Sequence, residues 1–213
     1  MMQAVILAGG VGSRMGGVCK TLIAVEGQPF ISRLARALSL SNVNGLLLLT
    51  HEWPLRAPDF PHVDDGGKRL GTGGAVLHAL PRLQDPCMIL NGDSYVPGFD
   101  YGLLKRAWLD YENTRAGLMV VFPVQAEGDR ANAQILGNMV NAYSKEHHHA
   151  SMQHVDAGIF VTTPSALSQY SEGVETPFDL GLIYRNMIAA HQLAAYEITA
   201  VPWEIGSPAG LEH

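Results

Sequence analysis

Five glycines, an arginine and a lysine crowd one stretch of this chain. The run is Gly9-Gly10-Val11-Gly12-Ser13-Arg14-Met15-Gly16-Gly17, with Lys20 three residues further on. A glycine-rich loop can turn tightly and aim successive backbone N–H groups at one anion. Arg14 adds a planar fork for two phosphate oxygens, and Lys20 adds a compact cation. Together these groups suit a triphosphate. Two familiar phosphate motifs are excluded by position. A P-loop needs glycine directly before Lys-Ser/Thr, and here Cys19 precedes Lys20-Thr21. A dinucleotide fingerprint needs its third glycine where Met15 stands. A plain surface loop is the competing reading, and it leaves two cations at a glycine-rich strand exit unexplained.

Four further patterns could carry chemistry. Asn91-Gly92-Asp93 follows an apolar run, and a lone carboxylate there suits Mg²⁺, which takes one or two protein carboxylates plus substrate phosphates. An aspartate capping the next turn is an equal alternative. Glu204 lies among apolar residues in Trp203-Glu204-Ile205, where a second metal carboxylate would explain it. Leu70-Gly71-Thr72-Gly73-Gly74-Ala75 could let a flat ring lie on the backbone, or could be a turn into a helix. Lys145, in Tyr143-Ser144-Lys145, could hold a second anion, with Asp156 and Gly158 further on. His147-His148-His149 reads as a solvated loop, because adjacent side chains diverge and no other ligand cluster is near. Cys19 beside Lys20 could be a lowered-pKa thiol, but no His/Asp pattern supports a nucleophile. The chain contains neither GxSxG nor HExxH.

These groups need a scaffold. Gln3 to Ala8, Gly45 to Thr50, Cys87 to Asn91, Ala116 to Val124, Val155 to Val161 and Leu193 to Val201 read as strands. Helices are expected from Pro29 through Leu38, from Thr72 as cap to Leu83, and over Tyr101 to Asn113, Thr163 to Gln169 and Phe178 to His191. Residues 51 to 70, rich in Pro and Gly, should be mostly loop. The strands are continuously apolar, so the alternation predicts a mostly parallel sheet covered on both faces. Gly137-Asn138 between two short extended runs marks a small antiparallel hairpin. Ligands of such sheets bind outside the carboxyl ends of the strands.

The chain has 213 residues with 14 Lys and Arg against 20 Asp and Glu, a formal charge of −6. With 47% apolar and 16% charged residues it is globular, and one domain spanning 1–213 is the simplest organisation. The acidic balance and the lack of a basic stripe argue against nucleic acid or an anionic membrane as partner. Two cysteines, without CxxC, fit a reduced cytoplasmic protein. No apolar run reaches the roughly 18 residues of a membrane span, and no signal peptide is evident.

Taken in order, GGxGxRMGG–Lys, LGTGGA, NGD, Tyr-x-Lys, Asp-x-Gly and WEIGSPxGL resemble the sugar-1-phosphate nucleotidyltransferases. The likeness runs from Val5 to Leu211 and is greatest to the small heptose- and mannose-1-phosphate guanylyltransferase branch. It implies a Rossmann-like three-layer α/β/α fold of the nucleotide-diphospho-sugar transferase type. It implies transfer of a nucleoside monophosphate from an NTP, GTP in that branch, to a hexose or heptose 1-phosphate, with Mg²⁺ as cofactor and pyrophosphate as product. The nucleotide would lie on Leu7, Ala8, Gly9, Gly10, Gly12 and Ser13, on Gly71, Thr72, Gly73 and Gly74, and on Gly92. Arg14, Lys20 and Lys145 would do the catalytic work, Asp93 and Glu204 would hold Mg²⁺, and Asn132, Asp156 and Gly158 would face the sugar phosphate. The chain departs from the pattern in places. Thr21 follows Lys20 where proline is usual, Ser144 stands where an acid often precedes the lysine, and Glu204 replaces the commoner aspartate. The short RMGGVCK loop is closer to enzymes with non-sugar acceptors such as molybdopterin, phosphocholine or methylerythritol phosphate. A non-catalytic nucleotide-binding subunit, and either a monomer or a homodimer, also fit the sequence.

Overall fold

Short aliphatic runs form the strands, and their pairing decides where the loops meet. The computed structural model describes residues 2–10, 19–43, 45–51, 53–54, 58–124, 131–147 and 149–205. In chain order, β1 is Gln3–Leu7, β2 Ala24–Val25, β3 Gln28–Pro29, α1 Phe30–Leu40, β4 Leu46–Thr50, β5 His62–Asp64 and α2 Gly71–His78. There follow β6 Cys87–Asn91, β7 Ser94–Tyr95, α3 Gly102–Leu109, β8 Gly117–Pro123, β9 Ala133–Leu136 and β10 Met139–Tyr143. The last are β11 His154–Thr162, α4 Pro164–Gln169, α5 Gly181–Ala189, β12 Leu193–Glu197 and β13 Trp203–Glu204.

The main sheet has nine strands in the order β5-β4-β1-β6-β11-β8-β12-β10-β9. The β5-β4-β1-β6 block is parallel throughout, and β12 is parallel to β8. The fold is therefore mixed α/β, and the sheet departs from the parallel expectation at its centre. There β11 runs antiparallel to both β6 and β8. Gly137 and Asn138 do turn a hairpin, β9–β10, which joins β12 at Met139 and β11 at Ala133. Residues 51–70 also hold the unforeseen strand β5, parallel to β4.

Alternate strand residues feed two cores. Ala4, Ile6, Leu48, Met88, Leu90, Leu118 and Val120 pack with Ile31, Leu34 and Leu38 of α1 and with Leu104 and Trp108 of α3. Val5, Leu47, Leu49, Ile89, Met119 and Val121 pack with Val76, Leu167, Ile183 and Met187 from α2, α4 and α5. This explains strands that are apolar at every position. Helix ends differ from expectation for local reasons. Thr163 caps α4, its hydroxyl accepting from Ala166 N at 3.1 Å. Thr72 does not cap α2; Leu70 holds that position, and the helix stops at His78 before a 3₁₀ turn over Leu80–Arg82. Helix α3 stops at Leu109 rather than Asn113, and α5 starts at Gly181 rather than Phe178. Among the described residues no helix is long and apolar enough to cross a membrane.

Candidate active site

Register alone brings three strand ends together. Leu7 of β1 pairs with Leu49 on one side and with Asn91 on the other. Ala8-Gly9-Gly10, Thr50-His51 and Gly92-Asp93 therefore leave the same edge of the sheet side by side. They open a cleft of about 610 Å³ lined by Leu7, Ala8, Gly9, Gly10, Lys20, Gly71, Thr72, Gly92, Asp93 and Lys145, and by the unforeseen Thr21, Asp65, Arg69 and Asn91. A slightly larger groove of about 680 Å³ lies against α1 and holds none of the predicted site residues.

At one end of the cleft, Lys20 Nζ donates to Asp93 Oδ2 at 3.0 Å. The 3₁₀ turn Lys20–Leu22 places Lys20, and Cys19 ties its start to the first strand exit, with Sγ 3.7 Å from Ala8 O and 3.2 Å from Thr21 Oγ1. Glu204 joins them through a two-residue ladder: β13 pairs with β7, and Ile205 N donates to Asp93 O at 3.0 Å. Burial, then the neighbouring Asp93 charge, pushes the Glu204 carboxyl above its ordinary value, against the pull of Lys20. The two carboxylates are near enough for the charge of Asp93 to act on Glu204, and Lys20 lies against Asp93 as their cationic neighbour.

The Leu70–Gly74 stretch proves to be a docking site for backbone and ring. Phe178 N donates to Leu70 O at 3.1 Å, and Gly73 N donates to Phe178 O at 3.0 Å. A Cβ on Gly71, whose φ is +75°, would lie 2.4 Å from Phe178 O. A Cβ on Gly73 would strike the Phe178 ring at 2.2 Å, and one on Gly74 would meet Thr176 at 2.9 Å. Gly73 and Gly74 are thus turned to packing and stand outside the cleft lining. Thr72 faces Asp179 instead: its hydroxyl donates to Asp179 Oδ2 at 3.2 Å and accepts from Leu180 N at 2.9 Å.

At the other end, Lys145 Nζ is held by both Asp179 oxygens, at 3.2 and 3.0 Å. Asn132, Asp156 and Gly158 are not among the residues that line the cleft. Asn132 Oδ1 accepts from Asp156 N at 2.8 Å, and Asp156 Oδ1 accepts from Gly158 N at 2.8 Å. Gly158, with φ +71°, lies so close to Asn91 that a Cβ would sit 2.6 Å from its amide. Burial pushes the Asp156 carboxyl up to about 6, although Gly158 N–H, Lys145 and the Tyr143 hydroxyl pull it down. The Tyr143 hydroxyl, 3.3 Å from Asp156 Oδ2, is pushed far up by burial and by that carboxylate. For Asp179, the Gly181 N–H and Lys145 outweigh burial and hold the carboxyl below its ordinary value.

Of the predicted residues, Gly12, Ser13 and Arg14 lie outside those described. Sequence reasoning missed Asp179, Asn91, Asp65 and His51. Asp65 accepts from His51 Nδ1 at 2.9 Å beside the first strand exit. The Asp179-x-Gly181 spacing, which lets a side chain cap its own turn, was the one available signal for Asp179.

The strand tips thus enclose a charged cleft with Lys20, Lys145 and Asp93 on its lining, while Glu204 stands outside that lining; the family follows from the sequence profile. The chain belongs to the MobA-like NTP transferase domain family, matched over residues 4–160. It is 31% identical over 186 residues to the bifunctional protein GlmU of Cupriavidus metallidurans, covering 79% of this chain and 39% of that protein. It is 27% identical over 117 residues to the D-glycero-alpha-D-manno-heptose 1-phosphate guanylyltransferase of Campylobacter jejuni, covering 49% of this chain and 52% of that one. The chain thus spans about half, or less, of these relatives. Its fold matches HddC from Yersinia pseudotuberculosis, solved with GMP-PN, with a TM-score of 0.76 at 20% identity over 100% of this chain and 97% of that one.

Proposed function

We propose that this protein is a nucleotidyltransferase that joins a nucleoside monophosphate, taken from GTP, to a hexose or heptose 1-phosphate. It acts as a single domain over 1–213, in the cytoplasm, on a Rossmann-like three-layer scaffold. The observation that carries the reading is the pairing of Lys20, on the 3₁₀ turn, with Asp93 just past β6, and Glu204 brought to them by the β13–β7 ladder.

An oxygen of the acceptor phosphate attacks the α-phosphorus. The bond from that phosphorus to the bridging oxygen breaks, and pyrophosphate leaves. The acceptor is already anionic at neutral pH, so no strong general base is needed, and none of the described residues form a Ser/His/Asp constellation. The work is positioning and charge neutralisation. Backbone of Leu7 to Gly10, with Gly12, Ser13 and Arg14, would cradle the polyphosphate, and the base would lie toward Gly71 and Thr72. Lys20 would balance charge developing on the α-phosphoryl oxygens. Lys145 would bring in the second anion, with Asn132, Asp156 and Gly158 shaping that end. Asp93 and Glu204 suit Mg²⁺ by their chemistry and mutual repulsion. When bound, the ion would neutralise phosphate charge.

A pyrophosphate-release assay crossing four NTPs with hexose, heptose and amino-sugar 1-phosphates tests the reading. Phosphocholine serves as the non-sugar control. Release with GTP and one sugar phosphate is expected. Asp93→Ala should cut the Mg²⁺-dependent rate by about a hundredfold with the melting curve intact. Full turnover by that variant would refute the metal assignment, and no release with any sugar phosphate would refute the activity.

A further inference from the structure

The family pattern often puts an acid directly before the acceptor lysine, and this chain has Ser144 there. Ser144 is occupied elsewhere: its Oγ accepts from Glu146 N at 3.3 Å and from His147 N at 2.9 Å, closing its own loop. The carboxylate beside Lys145 comes instead from Asp179, on the segment that packs across the Leu70–Gly74 glycines.

Asp179 is built in rather than adventitious. Its Oδ1 accepts from Gly181 N at 2.8 Å and its Oδ2 from Thr72 Oγ1 at 3.2 Å, while both oxygens hold Lys145 Nζ. Lys145 and Asp179 nevertheless stay about half open to water, at 55% and 49% side-chain exposure. An ammonium has three donors, and a carboxylate accepts at about four places. Lys145 keeps one donor, while the four places on Asp179 are taken by Gly181 N, Thr72 Oγ1 and Lys145 twice, so a phosphate that draws Lys145 off one carboxylate oxygen frees that oxygen for a hydroxyl of the same ligand. A sugar phosphate is such a ligand, with phosphate oxygens next to hydroxyls. Inorganic phosphate keeps a P–OH of its own at neutral pH but has no ring hydroxyls, so once Lys145 holds it nothing reaches across to Asp179.

We propose that Asp179 is a specificity-determining residue for the acceptor: it fixes Lys145 toward the phosphate and accepts hydrogen bonds from the sugar's hydroxyls. Asp179 thereby replaces, from a distant part of the chain, the acid missing at position 144. This rests on the nucleotidyltransferase reading and adds a basis for choosing sugar phosphates over simple anions.

The test compares the wild type, Asp179→Asn and Asp179→Glu in pyrophosphate release, with inorganic phosphate as a competing inhibitor. For Asp179→Asn, the KM for sugar 1-phosphate should rise about tenfold, as for loss of one charged hydrogen bond. Its KM for NTP should stay within about twofold, and inorganic phosphate should inhibit as well as before or better. Asp179→Glu keeps the charge and should keep most of the preference for sugar phosphate. The proposal is overturned if both KM values rise together, which is a structural effect, or if sugar phosphate and inorganic phosphate both bind tighter, which is simple relief of repulsion. It is also overturned if the acceptor KM does not change in a working enzyme. A wild type that releases no pyrophosphate with any sugar phosphate sinks the parent reading instead.

Discussion

Replacing Gly71 by alanine separates the two uses of the LGTGGA stretch, packing and nucleotide reading. The backbone at Gly71 has φ +75°, where an L side chain costs about 1–2 kcal/mol. The new Cβ would also lie 2.4 Å from Phe178 O, which is backbone and cannot swing aside. The segment at Phe178 must retreat, and the paired bonds Phe178 N to Leu70 O and Gly73 N to Phe178 O weaken with it. Each such bond contributes about 0.5–1.5 kcal/mol, so the variant should lose about 2–5 kcal/mol. For a chain of this size that lowers Tm by about 5–15 °C. Thermal melts followed by circular dichroism, checked by urea titration, measure it. An unchanged Tm together with lost NTP binding would refute the packing account and return Gly71 to the base.

Two other perturbations probe the charged groups. The Asp156 carboxyl is pushed from 3.8 up to about 6 by burial. Between those values the folded state holds more protons than the unfolded one, so this group makes stability fall as pH rises through the window, and its cost persists above it. Asp156→Asn should therefore raise stability at pH 7, by at most about 3 kcal/mol. Matching Tm profiles for both proteins from about pH 4 to pH 7 would contradict this. Glu204→Gln removes the charge that faces Asp93, so half-saturation by Mg²⁺ in the pyrophosphate assay should rise about tenfold while Tm does not fall. An unchanged Mg²⁺ requirement would take Glu204 out of the metal site.

What the sequence made legible was local. Buried strands such as Cys87–Asn91 announce themselves because they face apolar cores on both sides. Gly137-Asn138 announces a hairpin because few residues tolerate that turn. The direction of β11 was hidden, since nothing within His154–Thr162 records which strands lie beside it. Strand β5 was hidden because three mostly polar residues amid prolines carry little pattern. The site divides the same way. Lys20 and Asp93 were readable because each follows a strand or loop with its own signature. The LGTGGA glycines were visible but not their purpose, because Phe178, which they admit, lies about a hundred residues later. Asp179 escaped for the same reason, as its partners Thr72 and Lys145 come from two other elements.

The ladder between Ser94-Tyr95 and Trp203-Glu204 is only two residues long, and with the Ile205 N–H on Asp93 O and the Trp203 ring against Tyr95 it carries Glu204 to Asp93. Strand β12, which completes the sheet beside β8, ends earlier, at Glu197. On the proposed role of Glu204, fraying of this short seam would cost activity while leaving the architecture standing, and spectra and melting curves would look healthy on molecules that no longer turn over. Inactive preparations are accordingly best diagnosed by hydrogen exchange at Ser94 and Glu204.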